Sequence, residues 1–195
     1  PKEAPMYTMK GRMVAVISDG SAVLGLGNIG ALGALPVMEG KAAIFKTFAD
    51  IDTVPIVLDT QDADEIVETV LRIAPGFGGI NLEDIAAPKC FDIERRLIER
   101  LDIPVMHDDQ HGTSVVVLAA LLNALKLRGS DKTEVKIVVN GAGAAGIAVS
   151  RLLLKYGFTR LTLCDSRGAI YEGRPGLDGV KAEIARLTNR SRQTG

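Results

Sequence analysis

Carboxylates and one lysine are the first residues in this chain whose types and spacing could do chemistry. Glu83-Asp84 and Asp108-Asp109 are two acidic pairs, each beside a short apolar run and each where a strand would give way to a helix. Such positions converge at one edge of an α/β sheet. Oxygen donors without thiolates form a hard site that suits Mg²⁺ or Mn²⁺ better than zinc and leaves positions open for substrate oxygens. Taken singly, each pair favours the plainer role of a helix N-terminal charge, since the macrodipole draws acids there anyway. Only their combination with a cofactor site tips the balance toward metal binding. Lys41 lies in a mostly apolar stretch, residues 35–48. Burial would lower the pKa of its amine toward that of a base, whereas nearby carboxylates would raise it, so the residues alone leave its role open. His107 and His111 stand at i and i+4 but lack the H-E-x-x-H pattern, which reads as a structural pair rather than a zinc site.

The pattern G-x-G-x-x-G occurs twice, and context separates the copies. Gly141-Ala142-Gly143-Ala144-Ala145-Gly146 follows the strand-like VKIVV and opens a helix-like run. Its backbone N–H groups and helix N-terminus can therefore face a pyrophosphate. Asp165 ends the next strand, where an acidic residue accepts hydrogen bonds from the adenosine ribose. Arg167, two residues on, could instead pair with a 2′-phosphate, so NAD and NADP both remain open. The other copy, Gly25 to Gly30, lacks a directly preceding strand, and Gly33 and Pro36 are expected to interrupt any helix after it. It reads as a conformational loop.

The elements that must position these groups follow from periodicity. Met13 to Ile17 and Thr53 to Leu58 read as strands, with Pro55 pushing the second toward a sheet edge. Helical spacing covers Ile66 to Ile73 and Phe91 to Leu101, Ile103 to Met106 is a short strand, and Thr113 to Leu127 is apolar nearly all round, as in a buried helix. After the polar GSDKTE of Gly129 to Glu134 come a strand at Val135 to Val139, a helix at Ala144 to Tyr156 and a strand at Leu161 to Cys164. The alternation predicts an α/β fold with a parallel, doubly wound sheet. Placing the boundary in the polar segment divides the chain into residues 1–130 and 131–195.

With 47% hydrophobic residues a buried core is expected, and a net charge of -1 leaves no broad footprint for nucleic acid or an anionic membrane. Val115 to Leu122 is far short of a bilayer span, and the amino terminus lacks a signal-peptide pattern. A soluble, cytoplasmic protein is the expectation. Cys90 and Cys164 have neither zinc-site spacing nor disulfide density.

Five segments together resemble malic enzymes, especially the bacterial type: Val16 to Gly20 (VISDG), Leu24 to Gly30 (LGLGNIG), Leu35 to Lys41 (LPVMEGK), Phe77 to Ile85 (FGGINLEDI) and His107 to Thr113 (HDDQHGT). The similarity runs from about residue 7 to residue 189. It implies a substrate- and metal-binding α/β domain followed by the start of a Rossmann-like NAD(P)-binding domain. It further implies that Glu83, Asp84 and Asp109 bind Mg²⁺ or Mn²⁺, that Lys41 is the catalytic base and that Asp108 holds or tunes it. The implied reaction is oxidative decarboxylation of L-malate to pyruvate and CO₂ with NAD or NADP. The alternatives are a malolactic enzyme releasing lactate and a nucleotide-binding module without catalysis. The family's catalytic tyrosine lies in an upstream Tyr-Thr-Pro-Gly-Val motif that Tyr7-Thr8-Met9-Lys10 does not match, and its nucleotide domain continues past residue 195. Residues 1–195 alone are accordingly expected to be a poor catalyst, and the resemblance implies a homodimer or larger assembly.

Overall fold

Alternating strands and helices fold this chain into two units that pack separately, Pro1–Asp108 and Asp109–Gly195. The structure, a computed structural model, describes residues 3–177, 179–192 and 194. In the first unit a short helix α1 (Ala4–Tyr7) precedes β1 (Met13–Ser18), α2 (Gly30–Ala49), β2 (Asp52–Val57), α3 (Ala63–Ile73), β3 (Gly79–Leu82), α4 (Lys89–Arg100) and β4 (Val105–His107). The strands form one parallel sheet in the order β2-β1-β3-β4. Pro55 sits on the edge strand β2, where its missing N–H costs least. Ala15, Val16 and Ile17 of β1 and Leu82 of β3 are wholly buried, as expected of central parallel strands covered on both faces.

The chain leaves β1 toward β2 on one side and returns to β3 on the other. The carboxyl ends of β1 and β3 therefore flank a topological switch point, the place where open α/β sheets form a crevice.

α2 departs from expectation, since it runs unbroken through both Gly33 and Pro36. Its buried residues Ala31, Ala34 and Met38 recur on one face and anchor it. Pro36 and Leu32, whose carbonyl loses its partner to the proline ring, both lie on the exposed side, where water can satisfy the orphaned oxygen. Tertiary packing thus overrides two local helix breakers.

The second unit contains α5 (Asp108–Arg128), which begins at the junction, then β5 (Ile137–Asn140), α6 (Ala144–Tyr156), β6 (Leu161–Asp165), the two-residue β7 (Gly168–Ala169) and α7 (Gly179–Leu187). β5 and β6 are parallel, and β7 folds back antiparallel on β6. The core joins Leu125, Val149, Leu153, Phe158 and Leu161, with Leu118, Leu121 and Leu122 against it. This packing explains why the chain divides before α5 rather than in the polar segment 129–134: the helix contributes its leucines to the second core. It also corrects the expectation of a buried helix. Leu118, Leu121, Leu122 and Leu125 of α5 pack into this core, whereas Val115 and Val116 stand 60% and 64% exposed. Among the described residues, no helix is long and apolar enough to cross a membrane.

Candidate functional site

Strand register brings the first set of groups together. Leu82 of β3 pairs with His107 of β4, so Glu83 and Asp108, each the next residue along its strand, emerge at the same carboxyl edge. α2 supplies the third group, because Lys41 falls on the helix face already set by Ala34 and Met38. The Lys41 Nζ lies 2.7 Å from Asp108 Oδ2 and 3.1 Å from Glu83 Oε2. Asp84 follows Glu83 and is buried, with a left-handed φ of 54° that a non-glycine residue seldom adopts. Asp109 is the next residue after Asp108, at the start of α5.

The electrostatics of this cluster are uneven. Burial pushes the Glu83 carboxyl up to about 7, against the opposing pull of the Asn81 hydrogen bond and the Lys41 charge, while Asp108 adds to the rise. A carboxylate with that tendency is short of positive charge, which is the environment a divalent cation completes. For Lys41, burial pulls the pKa down, but the hydrogen bond to Asp108 and the charge of Glu83 outweigh it, and the net shift is upward. Of the two opposing effects, the carboxylates win.

Several groups at this edge escape a reading of the sequence. Asn81, buried on β3, donates from Nδ2 to Glu83 Oε2 at 2.8 Å, the same oxygen that Lys41 Nζ approaches at 3.1 Å. Asp19 is fully buried after β1 and pairs with Lys89 Nζ at 2.5 Å. The Asp19–Lys89 pairing leaves no local signal because its partners are far apart in sequence, and Asn81, two residues before Glu83 on the same strand, belongs to no acidic pair or glycine motif. The buried His107 has its backbone N–H held by Glu94 Oε1 at 2.8 Å, in keeping with a structural part, whereas His111 is exposed.

In the second unit, β5 runs into the glycine loop and the loop into α6, as the motif requires. The N-cap residue Gly143 makes no side-chain cap, so the N–H groups of the first turn have no such partner. A cleft of about 580 Å³ is bounded by Asn140, Gly141 and Gly143 to Gly146, with Val117 and Leu121 on its apolar wall. A Cβ at Gly141 or Gly143 would meet nothing within 4 Å, leaving room for a ligand to approach the backbone. At Gly146 a Cβ would lie 1.8 Å from the Gly141 carbonyl oxygen, so only glycine lets the loop close on the helix.

Asp165 stands at the end of β6, but it is already engaged. Arg174 donates to Oδ1 at 3.0 Å and to Oδ2 at 2.5 Å, and the Arg167 N–H donates at 2.9 Å. The Arg174 guanidinium holds this carboxyl well below the ordinary range. Arg174 lies in a Gly-Arg-Pro-Gly turn whose arginine carries no recognisable signal in the sequence.

A family model described as malic enzyme, N-terminal domain, matches residues 4–98, and one described as malic enzyme, NAD binding domain, matches residues 110–194. The chain is 62% identical over 190 residues to a bifunctional malic/malolactic enzyme of Bacillus subtilis, covering 97% of this chain and 46% of that protein. It is 54% identical to an NADP-dependent malic enzyme of Rhizobium meliloti, covering 97% of this chain and 25% of that one. The crystal structure of an NAD-dependent malic enzyme from Thermotoga maritima superposes with a TM-score of 0.97 at 54% identity, covering 100% of this chain and 52% of that one. The chain spans less than half the length of these two curated relatives.

Proposed function

Because the chain belongs to the malic enzyme family, we propose that the protein oxidatively decarboxylates L-malate to pyruvate and CO₂ with reduction of NAD or NADP. In this reading Glu83, Asp84 and Asp109 hold Mg²⁺ or Mn²⁺. The donor chemistry supports it: each of the three offers a carboxylate oxygen, and Glu83 is short of compensating charge. When bound, the cation polarises substrate oxygens and takes up negative charge as it develops. Lys41 Nζ accepts the proton of the malate hydroxyl, and Asp108 holds and tunes the amine. The two carboxylates keep Lys41 as an ammonium, so neutralising their field brings the amine toward the range of a base. The N–H groups at the start of α6 receive the pyrophosphate of the nucleotide.

The observation that carries this reading is the placement of the Lys41 amine between Glu83 and Asp108 at the carboxyl ends of neighbouring strands. Its test is turnover by the full-length protein with malate and Mn²⁺, supplied with NAD and NADP in turn and read by reduced-cofactor absorbance. Absence of turnover with either nucleotide, with and without EDTA, refutes it. Resemblance to a bifunctional malic/malolactic enzyme favours a second reading, in which malate yields lactate. That activity produces lactate without accumulating reduced cofactor.

The raised Glu83 carboxyl sets a pH dependence. Burial raises the Glu83 carboxyl to about 7, so at lower pH a metal is expected to compete with a proton for it. Apparent Mn²⁺ affinity is expected to fall about tenfold per pH unit below that value and to level off above it. Calorimetric titrations in buffers of different ionisation enthalpy check this, since about one proton should be released per ion bound at pH 6. An affinity flat across the acidic range would overturn this proton coupling at Glu83.

A further inference from the structure

The segment carrying Glu83 and Asp84 is tied at three points to β1 and the loop that follows it. The Glu83 N–H donates to the Ile17 carbonyl at 2.8 Å, and the Ala22 N–H donates to the Asp84 carbonyl at 2.9 Å. The third tie differs in kind, because the Ala86 N–H donates at 2.9 Å to a side chain, the Ser21 hydroxyl. That hydroxyl donates in turn to Asp19 Oδ1 at 2.6 Å, and the Ser21 N–H donates to the same oxygen at 3.0 Å. The other Asp19 oxygen faces Lys89 Nζ at 2.5 Å.

The chain of contacts has a direction. A fully buried Asp19 needs the Lys89 charge to offset its desolvation. Thus fixed, it orients the Ser21 hydroxyl so that a lone pair points to the Ala86 N–H. Asp84 carries the Ala22 tie on its own carbonyl, lies between the Glu83 and Ala86 ties, and adopts a left-handed backbone, a conformation that persists only where the surroundings over-determine it.

We propose that Ser21 is a positioning residue for the metal site, holding the turn through Asp84 by way of Ala86 while Asp19 and Lys89 fix its hydroxyl. The proposal rests on the reading of Asp84 as a metal ligand. Groups that brace metal ligands commonly change affinity ten- to a hundredfold when removed.

The test is Mn²⁺ binding, read from the electron paramagnetic resonance signal of free Mn²⁺, for the native protein, Ser21→Ala and Ser21→Thr, alongside thermal melts in EDTA. The expected result is an Mn²⁺ Kd weakened about tenfold or more in Ser21→Ala and kept within about threefold in Ser21→Thr. Equal affinity in native protein and Ser21→Ala overturns the proposal. Where Ser21→Ala gives no cooperative melt, Ser21→Thr decides, native affinity supporting the role of the hydroxyl and a tenfold loss overturning it. Failure of the native protein to bind Mn²⁺ defeats the metal-site reading itself and is thereby distinguished from failure of the positioning role.

Discussion

Replacing Lys41 with methionine is expected to lower malate turnover by about a hundred- to ten-thousandfold, the range over which a positioned acid–base group acts. Methionine keeps much of the stem volume and removes the charge, so the variant isolates the amine. In the structure that amine bridges Glu83 and Asp108. Removing it leaves two acidic groups without their shared cation, and burial then presses harder toward a protonated Glu83. The same removal takes a positive charge away from where a metal ion would sit, so Mn²⁺ affinity measured well above neutral pH should hold or rise. Nucleotide binding should be unchanged, since the glycine loop belongs to the other unit. Steady-state kinetics with separate metal and nucleotide titrations check the combination. Turnover within tenfold of native would remove Lys41 from the chemistry.

Gly146→Ala is expected to weaken NADH binding at least about a hundredfold, equivalent to roughly 2.7 kcal/mol. The added methyl carbon would fall 1.8 Å from the Gly141 carbonyl oxygen and 2.9 Å from its carbonyl carbon, both backbone atoms. No rotamer relieves that overlap, so the loop must move off the helix. Gly141 is in turn hydrogen-bonded through its N–H to the Cys164 carbonyl at 2.9 Å, and displacement of the loop strains the pairing of β5 with β6. Stability should therefore fall as well, by about 1–3 kcal/mol as for other overpacked sites. Gly143→Ala supplies the contrast. Its Cβ has open space around it, so folding should be preserved, while a methyl on the face offered to the pyrophosphate still obstructs the ligand. Fluorescence titration with NADH and denaturant melts separate the two effects. Native affinity in Gly146→Ala would mean that the nucleotide does not use this loop.

Different parts of the molecule were legible to different degrees. The glycine loop, α6 and Asp165 could be placed from the residues alone because strand, turn and helix are contiguous and each carries its own local pattern. The acidic pairs were visible as residues, but their significance came from the resemblance of whole motifs, since acids at helix starts are common for other reasons. α2 was misjudged because local propensity disfavours Gly33 and Pro36, whereas burial of Ala31, Ala34 and Met38 favours the helix. The burial of α5 was overestimated because an apolar composition fixes neither which side of a helix finds a partner nor how many sides do.

By itself, the sequence determined the α/β alternation, the family and the chemical types available: two acidic pairs, a lysine and a glycine-rich loop between strand and helix. The tertiary structure alone decided that Leu82 pairs with His107, which brings Glu83 and Asp108 to one edge, and that Lys41 faces them from α2. It also decided that Asp19 pairs with Lys89 and that Ser21 ties the Asp84 turn to β1. The physical reason is range. Periodicity, turns and caps act between near neighbours and leave a trace in the residues, whereas register, strand order and the balance between burial and opposing charge depend on partners tens of positions away.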